Sequence, residues 1–281
     1  MIPHDAIYDA APAKINLALH VRHRRPDGYH ELETLFAFAR DGDTVTVESA
    51  DIDDFAITGP FAAALTPATG PNLVERAAQG FRDTFGIAQP HAITLDKHLP
   101  IASGIGGGSA DAAATLRALA RLHGIDPHDP RLFVLAERLG ADVPACLLGR
   151  TTIGTGKGEA LVPIEGLADT PLLLVNPGVA VSTAAVFAQW DGVDRGGIAQ
   201  AGDLFARAVT GRNDLQPAAL ALAPVITDVL ALLDQADGVR LARMSGSGAT
   251  CFALFADETT RDAARDDAAA HGWWTLATAL T

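Results

Sequence analysis

The chain has 281 residues, 48% of them hydrophobic, and a formal net charge of -13. That length suits two lobes and the apolar share suits a sizeable core, while the acidic balance excludes non-specific binding to nucleic acid or anionic membranes, whose phosphates would repel it. No apolar run reaches the roughly 18 residues of a spanning helix, and the N-terminal MIPHDAIYDA lacks the basic-then-apolar layout of a signal peptide, so the expected location is the cytoplasm with small-molecule partners.

The first third reads as strands: Ile15 to Val21, Leu32 to Phe38 and Thr44 to Glu48, with Asp41-Gly42-Asp43 as the turn between the last two. Asn72 is a natural N-cap for a helix through Phe85, since Leu73, Ala77, Phe81 and Phe85 repeat at helical spacing. A strand follows at His91 to Leu95. A glycine-rich stretch then opens into a helix from Ser109 to His123, ended by Gly124, and a second helix runs from Pro130 to Leu139. Strand-like segments return at Arg150 to Ile153 and Ala160 to Ile164. A boundary near Glu165 to Asp169 divides residues 1–165 from 166–281. Beyond it come the strand Leu172 to Val175 and helices at Thr183 to Gln189, Leu204 to Val209 and Pro224 to Gln235. A hairpin of Val239 to Met244 with Thr250 to Phe255 follows, then a helix from Thr259 to His271 and a final strand. Hairpins and helices mix without strict alternation, which predicts an α+β protein and not a doubly wound sheet. The two cysteines, Cys146 and Cys251, sit in apolar surroundings and read as buried free thiols, too few for a zinc site.

The sharpest local signal is Pro100-Ile101-Ala102-Ser103-Gly104-Ile105-Gly106-Gly107-Gly108-Ser109-Ala110. Its glycines bring bare backbone N–H groups together, and Ser109 is placed to cap the helix that follows. A helix N-terminus offers unpaired donors and the positive end of the macrodipole, so the segment reads as a phosphate cradle. It is not a Walker A loop, because Gly156-Lys157 precedes Gly158 and no Gly-x4-Gly-Lys-Ser/Thr occurs. Nor is it a dinucleotide fingerprint, because Ser109 stands where the third glycine belongs.

Three further constellations carry chemistry or an ordinary structural role. Lys14 and Asn16 share a strand face, and Lys14 is either a solvated charge or a cation for phosphoryl oxygens. Asp142, in Gly140-Ala141-Asp142-Val143-Pro144, is a turn or capping residue or a base for a hydroxyl proton. Ser245-Gly246-Ser247-Gly248 is a plain hairpin turn or a second close backbone approach to a ligand. Phosphoryl transfer needs little more than positioning and charge neutralisation, so one lysine, one aspartate and a glycine cradle are sufficient parts.

Together, Pro12-Ala13-Lys14-Ile15-Asn16, the segment from Pro100 to Ala113 and Ser245-Gly246-Ser247-Gly248 resemble the three signature motifs of the galactokinase–homoserine kinase–mevalonate kinase–phosphomevalonate kinase (GHMP kinase) superfamily. Arg25-Pro26-Asp27-Gly28-Tyr29-His30, Gly140-Ala141-Asp142-Val143-Pro144 and Asn213-Asp214-Leu215 narrow the resemblance to the branch acting on 4-diphosphocytidyl-2-C-methyl-D-erythritol. The resemblance implies a two-lobed α+β fold, with an N-terminal ribosomal-protein-S5-like lobe and a C-terminal ferredoxin-like lobe. It implies ATP and Mg2+ as cofactors and transfer of the γ-phosphate to the 2-hydroxyl of the substrate.

By position, Lys14 and Asp142 match the catalytic pair. Asp142 would orient and deprotonate the hydroxyl, and Lys14 would keep it ionised and steady the phosphate. Tyr29, His30 and Phe187 match a cytidine pocket, with Asn16, Thr183, Gly246 and Ser247 also on the substrate side. Asn72 and Lys97 match positions near the adenine, and Pro100 to Ala110 the phosphates. No metal ligand is assigned. Ala102-Ser103 and Ile105 depart mildly from the family pattern, and residues 188–212 are not matched. Another GHMP-fold kinase, an ATP-dependent decarboxylase of the same fold and a non-catalytic nucleotide-binding module are the competing readings.

Overall fold

A computed structural model describes residues 6–65 and 72–281; part of the N-terminal stretch MIPHDAIYDA lies outside the described residues. The chain forms two compact units, one of Met1–Ala13, Asp41–Ile101 and Gly106–Gly149, the other of Lys14–Arg40, Ala102–Ile105 and Arg150–Thr281. The chain passes from one unit to the other within two long strands, β1 (Ile7–Arg24) and β2 (His30–Ser49).

In the first unit the end of β2 pairs antiparallel with β4 (His91–Asp96), Thr44 opposite Asp96 and Ser49 opposite His91. β3 (Asp54–Thr58) joins β4 in parallel. The predicted turn at Asp41-Gly42-Asp43 does not form; β2 runs through it unbroken. Glycine is present there for a different reason: a Cβ at Gly42 would lie 2.1 Å from the carbonyl oxygen of Ala11. The signal is one of close backbone approach, not of chain reversal.

Four helices complete this unit: α1 (Leu73–Phe85), α2 (Gly107–Leu122), α3 (Pro130–Leu139) and α4 (Val143–Leu148). Asn72 caps α1 as expected. Its Oδ1 accepts the N–H of Val74 at 3.0 Å, and Glu75 accepts the N–H of Asn72 at 3.0 Å, a reciprocal capping box. α2 is buried on most of its faces by α1, α3 and α4, which explains its run of alanines. It starts two residues before the expected cap: Gly106, at φ 67°, is the N-cap, and Ser109 lies inside the first turn. Glycine enters the left-handed region without a Cβ penalty, so the helix begins before the serine. The short α4 is not apparent from sequence periodicity.

In the second unit, β5 (Thr152–Gly156) pairs with the start of β2 and with β6 (Ala160–Pro163). A separate antiparallel sheet has the order β10-β7-β9-β8, from β7 (Pro171–Asn176), β8 (Val239–Met244), β9 (Cys251–Phe255) and β10 (Trp274–Ala279). Between β7 and β8 lie α5 (Thr183–Ala188), α6 (Leu204–Thr210), α7 (Gln216–Leu222) and α8 (Val225–Gln235), and α9 (Glu258–Ala270) precedes β10. With α8 packed on β8 and β9, and α9 on β7, β9 and β10, the pattern is the βαββαβ of a ferredoxin-like fold. Its core includes Leu173, Val175, Ile226, Val229, Leu233, Met244, Phe255, Ala264 and Ala268. Cys146 and Cys251 are buried and free, and burial pushes the Cys251 thiol up, so it stays in the unreactive form. Among the described residues no helix is long and apolar enough to cross a membrane.

Candidate active site

The first unit holds the helical part of the glycine segment. Ala110 N–H bonds back to the Gly106 carbonyl at 2.8 Å, so the ladder of α2 starts there and the donors of its first turn stay outside it. Glycines at 106, 107 and 108 leave that turn without side chains. Asp142 sits at the N-cap of α4, and its side chain makes no capping bond.

Lys97 does not stand in a solvated turn, the ordinary role its place suggested; it is deeply buried. Its ammonium donates to Asp43 Oδ2 at 2.5 Å and to Asp111 Oδ2 at 2.7 Å, with side-chain exposures of 3%, 0% and 2% for the three residues. Burial opposes the charge on Lys97, but the two carboxylates together raise its pKa. Burial also pushes Asp111 up, to about 7; Lys97 pulls against this and Asp43 adds to it.

The second unit brings three distant motifs together. The Lys14 ammonium donates to Asn16 Oδ1 at 3.1 Å and lies 5.1 Å from the centre of the Phe36 ring. Asn16 Nδ2 donates to Thr34 Oγ1 at 2.8 Å. The Asn16 N–H reaches Ser245 Oγ at 3.3 Å, and that hydroxyl donates to the Gly104 carbonyl at 3.0 Å. Lys14 N–H bonds to Ile105 O at 2.9 Å and Thr250 N–H to Ser103 O at 3.1 Å. The two glycine segments therefore run backbone against backbone. A Cβ at Gly246 would lie 2.8 Å from Gly104 O, and one at Gly104 would lie 2.6 Å from Ser245 O. Ala102 takes a left-handed φ of 51°, a strained value for a residue with a side chain.

The residues expected around cytidine are only partly gathered. His30 stacks on Phe187 with ring centroids 4.8 Å apart. Burial first, and the charge of Arg24 second, lower the His30 pKa and so favour the neutral ring, in which one nitrogen is a donor and the other an acceptor. Thr183 Oγ1 and Ser247 Oγ share a hydrogen bond of 2.9 Å. Tyr29 is 57% exposed, and its ring pairs with the Lys157 ammonium at 5.1 Å.

Other contributors were not assigned from the sequence. Trp190 meets His30 edge-on at 5.6 Å; it lies in the segment that matches no family motif. Asn213 Nδ2 donates to the carbonyls of Met244 and Gly246, both at 2.8 Å, which gives the Asn213-Asp214-Leu215 motif a role in shaping the Ser245-Gly246 turn. Arg243 donates to the carbonyls of Leu17, Ala208 and Gly211 and so ties the strand after Asn16 to the end of α6.

Comparison with known proteins agrees with this arrangement. Residues 72–150 match the GHMP kinases N terminal domain and residues 196–272 the GHMP kinases C terminal family. The chain is 55% identical to a 4-diphosphocytidyl-2-C-methyl-D-erythritol kinase of Rhizorhabdus wittichii, over 97% of this chain and 94% of the relative. It is 50% identical to one of Novosphingobium aromaticivorans, over 98% and 93% respectively. A crystal structure of a 4-(cytidine 5'-diphospho)-2C-methyl-D-erythritol kinase superposes with a TM-score of 0.79 at 34% identity, covering 97% of this chain and 98% of the other. A homoserine kinase from Cytophaga hutchinsonii, at 20% identity and a TM-score of 0.70, shares the fold. The chain belongs to the GHMP kinases and, among them, to the 4-diphosphocytidyl-2-C-methyl-D-erythritol kinase family.

Proposed function

We propose that this protein transfers the γ-phosphoryl group of ATP to the 2-hydroxyl of 4-diphosphocytidyl-2-C-methyl-D-erythritol, a phosphorylation step of non-mevalonate isoprenoid precursor synthesis. The observation that carries the reading is the near full-length identity of 55% to a kinase named for that substrate.

The site supports the reading in its parts. The side-chain-free first turn of α2 suits a chain of phosphates, because its N–H groups and the helix dipole both favour anions. Mg2+ binds mostly through substrate phosphates and one or two carboxylates. Among the described residues no group of three His, Cys, Asp or Glu side chains is placed to hold a metal. When bound, Mg2+ neutralises charge on the phosphate oxygens. Asp142 takes the proton of the attacking 2-hydroxyl as the new O–P bond forms and the bond to the ADP oxygen breaks. The Lys14 ammonium, held in place by Asn16, stabilises the oxygens of the transferring group. The neutral His30 ring reads the hydrogen-bonding edge of cytosine, and Phe187 and Tyr29 supply ring faces.

The deciding experiment is a coupled ADP-release assay with the cytidine-containing substrate beside homoserine, mevalonate and mevalonate diphosphate. Turnover confined to the cytidine substrate is expected. Turnover with another acceptor, phosphate release from mevalonate diphosphate with loss of CO2, or ATP binding without turnover would each overturn the assignment.

A further inference from the structure

The ion cluster of the first unit has no part in the chemistry above. Burying two carboxylates and one ammonium is costly, and well-packed apolar side chains are often as stabilising. The cluster is also incompletely satisfied, since Asp111 Oδ1 is buried with no hydrogen-bond partner. Its presence calls for a reason other than stability.

Its geometry supplies one. Asp43 Oδ1 accepts the N–H groups of His98 at 2.6 Å and Leu99 at 2.8 Å, and Asp43 Oδ2 accepts from Lys97. One carboxylate thereby pins three consecutive residues just before Pro100. Lys97 then reaches across to Asp111, which lies one turn into α2. A Cβ at Gly107 would lie only 3.1 Å from the Lys97 ammonium and 3.8 Å from Asp43 Oδ2. The first turn of α2 thus rests on the cluster with no side chain between.

We propose that Asp43 and Asp111 are positioning residues for the nucleotide: by clamping Lys97 beneath Gly107 they set where the phosphate-binding N–H groups of α2 stand. The inference rests on the kinase reading for the identity of the ligand. Displacing a binding backbone by a fraction of an ångström weakens every hydrogen bond it offers, so small errors in the clamp have large effects.

The test compares wild type with Asp111→Asn, Asp43→Asn and the charge-free triple variant Asp43→Asn/Lys97→Met/Asp111→Leu. MgATP affinity is measured by calorimetry, KM by steady-state kinetics for each substrate, and Tm by thermal unfolding. At pH 8, where the Asp111 carboxylate is ionised, the single variants are expected to raise the Kd and KM for ATP about tenfold or more, with KM for the cytidine substrate within about twofold. The charge-free triple variant removes all three buried charges and is expected to recover most of the lost Tm while ATP affinity stays weak. Recovery of ATP affinity together with Tm would mean a structural role only and would overturn the proposal, as would unchanged ATP affinity in the single variants. Wild-type protein that binds MgATP but turns over no cytidine substrate would overturn the substrate assignment, while the ATP affinities still judge the clamp. Wild type that fails to bind MgATP would overturn both.

Discussion

The hydroxyl of Ser245 donates to the carbonyl oxygen of Gly104 at 3.0 Å and accepts the N–H of Asn16 at 3.3 Å. One buried side chain thus links three sequence motifs within the second unit. Ser245→Ala removes a donor and an acceptor at once, and each lost hydrogen bond is worth roughly 1 kcal/mol. We expect Tm to fall by a few degrees and kcat by about tenfold, because the strand carrying Lys14 loses its anchor to the glycine segment. Unchanged kcat would remove Ser245 from the positioning of Lys14.

Positions 102 and 104 make opposite predictions for one chemical change. Gly104, at φ 78°, has the carbonyl oxygen of Ser245 2.6 Å from where a Cβ would stand. Gly104→Ala is expected to cost more than about 2 kcal/mol and most of the turnover. Ala102, at φ 51°, already bears the left-handed penalty. Ala102→Gly is expected to relieve about 1 kcal/mol and to raise Tm by about 2–4 °C. Thermal unfolding of the two variants side by side checks both signs.

Asp142 makes no capping bond to α4, so its removal takes no cap from that helix. Asp142→Asn should leave ATP affinity nearly intact while lowering kcat by about 10²–10⁴, the usual worth of a general base. Calorimetric titration with MgATP and a single-turnover assay separate the two effects. Retained turnover would exclude a base role for this residue.

Features written within a few residues of one another were legible in the sequence. The N-cap Asn72 stands directly before the helix it caps, and the hairpin around Ser245-Gly246 needs only its turn. What depends on distant partners was not. Asp41-Gly42-Asp43 has the composition of a turn, and only the passage of Ala11 beside Gly42 reveals that the glycine serves close approach. Lys97 looks like a solvated lysine because its carboxylate partners stand 54 and 14 residues away. Lys14 and Asn16 were readable as neighbours on one strand face, but the bond between them needed the strand pairing that buries them both.

His30 is held between the face of Phe187 and the edge of Trp190. Edge-on contact depends on the ring, so Trp190→Phe should keep His30 in place, whereas Trp190→Ala should free it. We expect Trp190→Ala and His30→Ala each to raise KM for the cytidine substrate severalfold while KM for ATP moves little, and Trp190→Phe to resemble wild type. Equal rises in both KM values would argue against a cytidine pocket at His30.

Asp111 gives a pH dependence whose sign follows from its burial. Desolvation, reinforced by Asp43 and opposed by Lys97, raises it from 3.8 to about 7. Between those values the folded chain holds a proton that the unfolded chain has released, so its contribution to stability is full below about pH 4 and is lost as pH rises to about 7. Asp111→Asn mimics the protonated carboxyl at every pH and has no such slope. The Tm of wild type minus that of the variant should therefore decline from about pH 4 to about pH 7 and then level off. Paired melting curves across that range test it, and a difference that grows with pH would mean that Asp111 is ionised in the folded chain and paired with Lys97 as a charge.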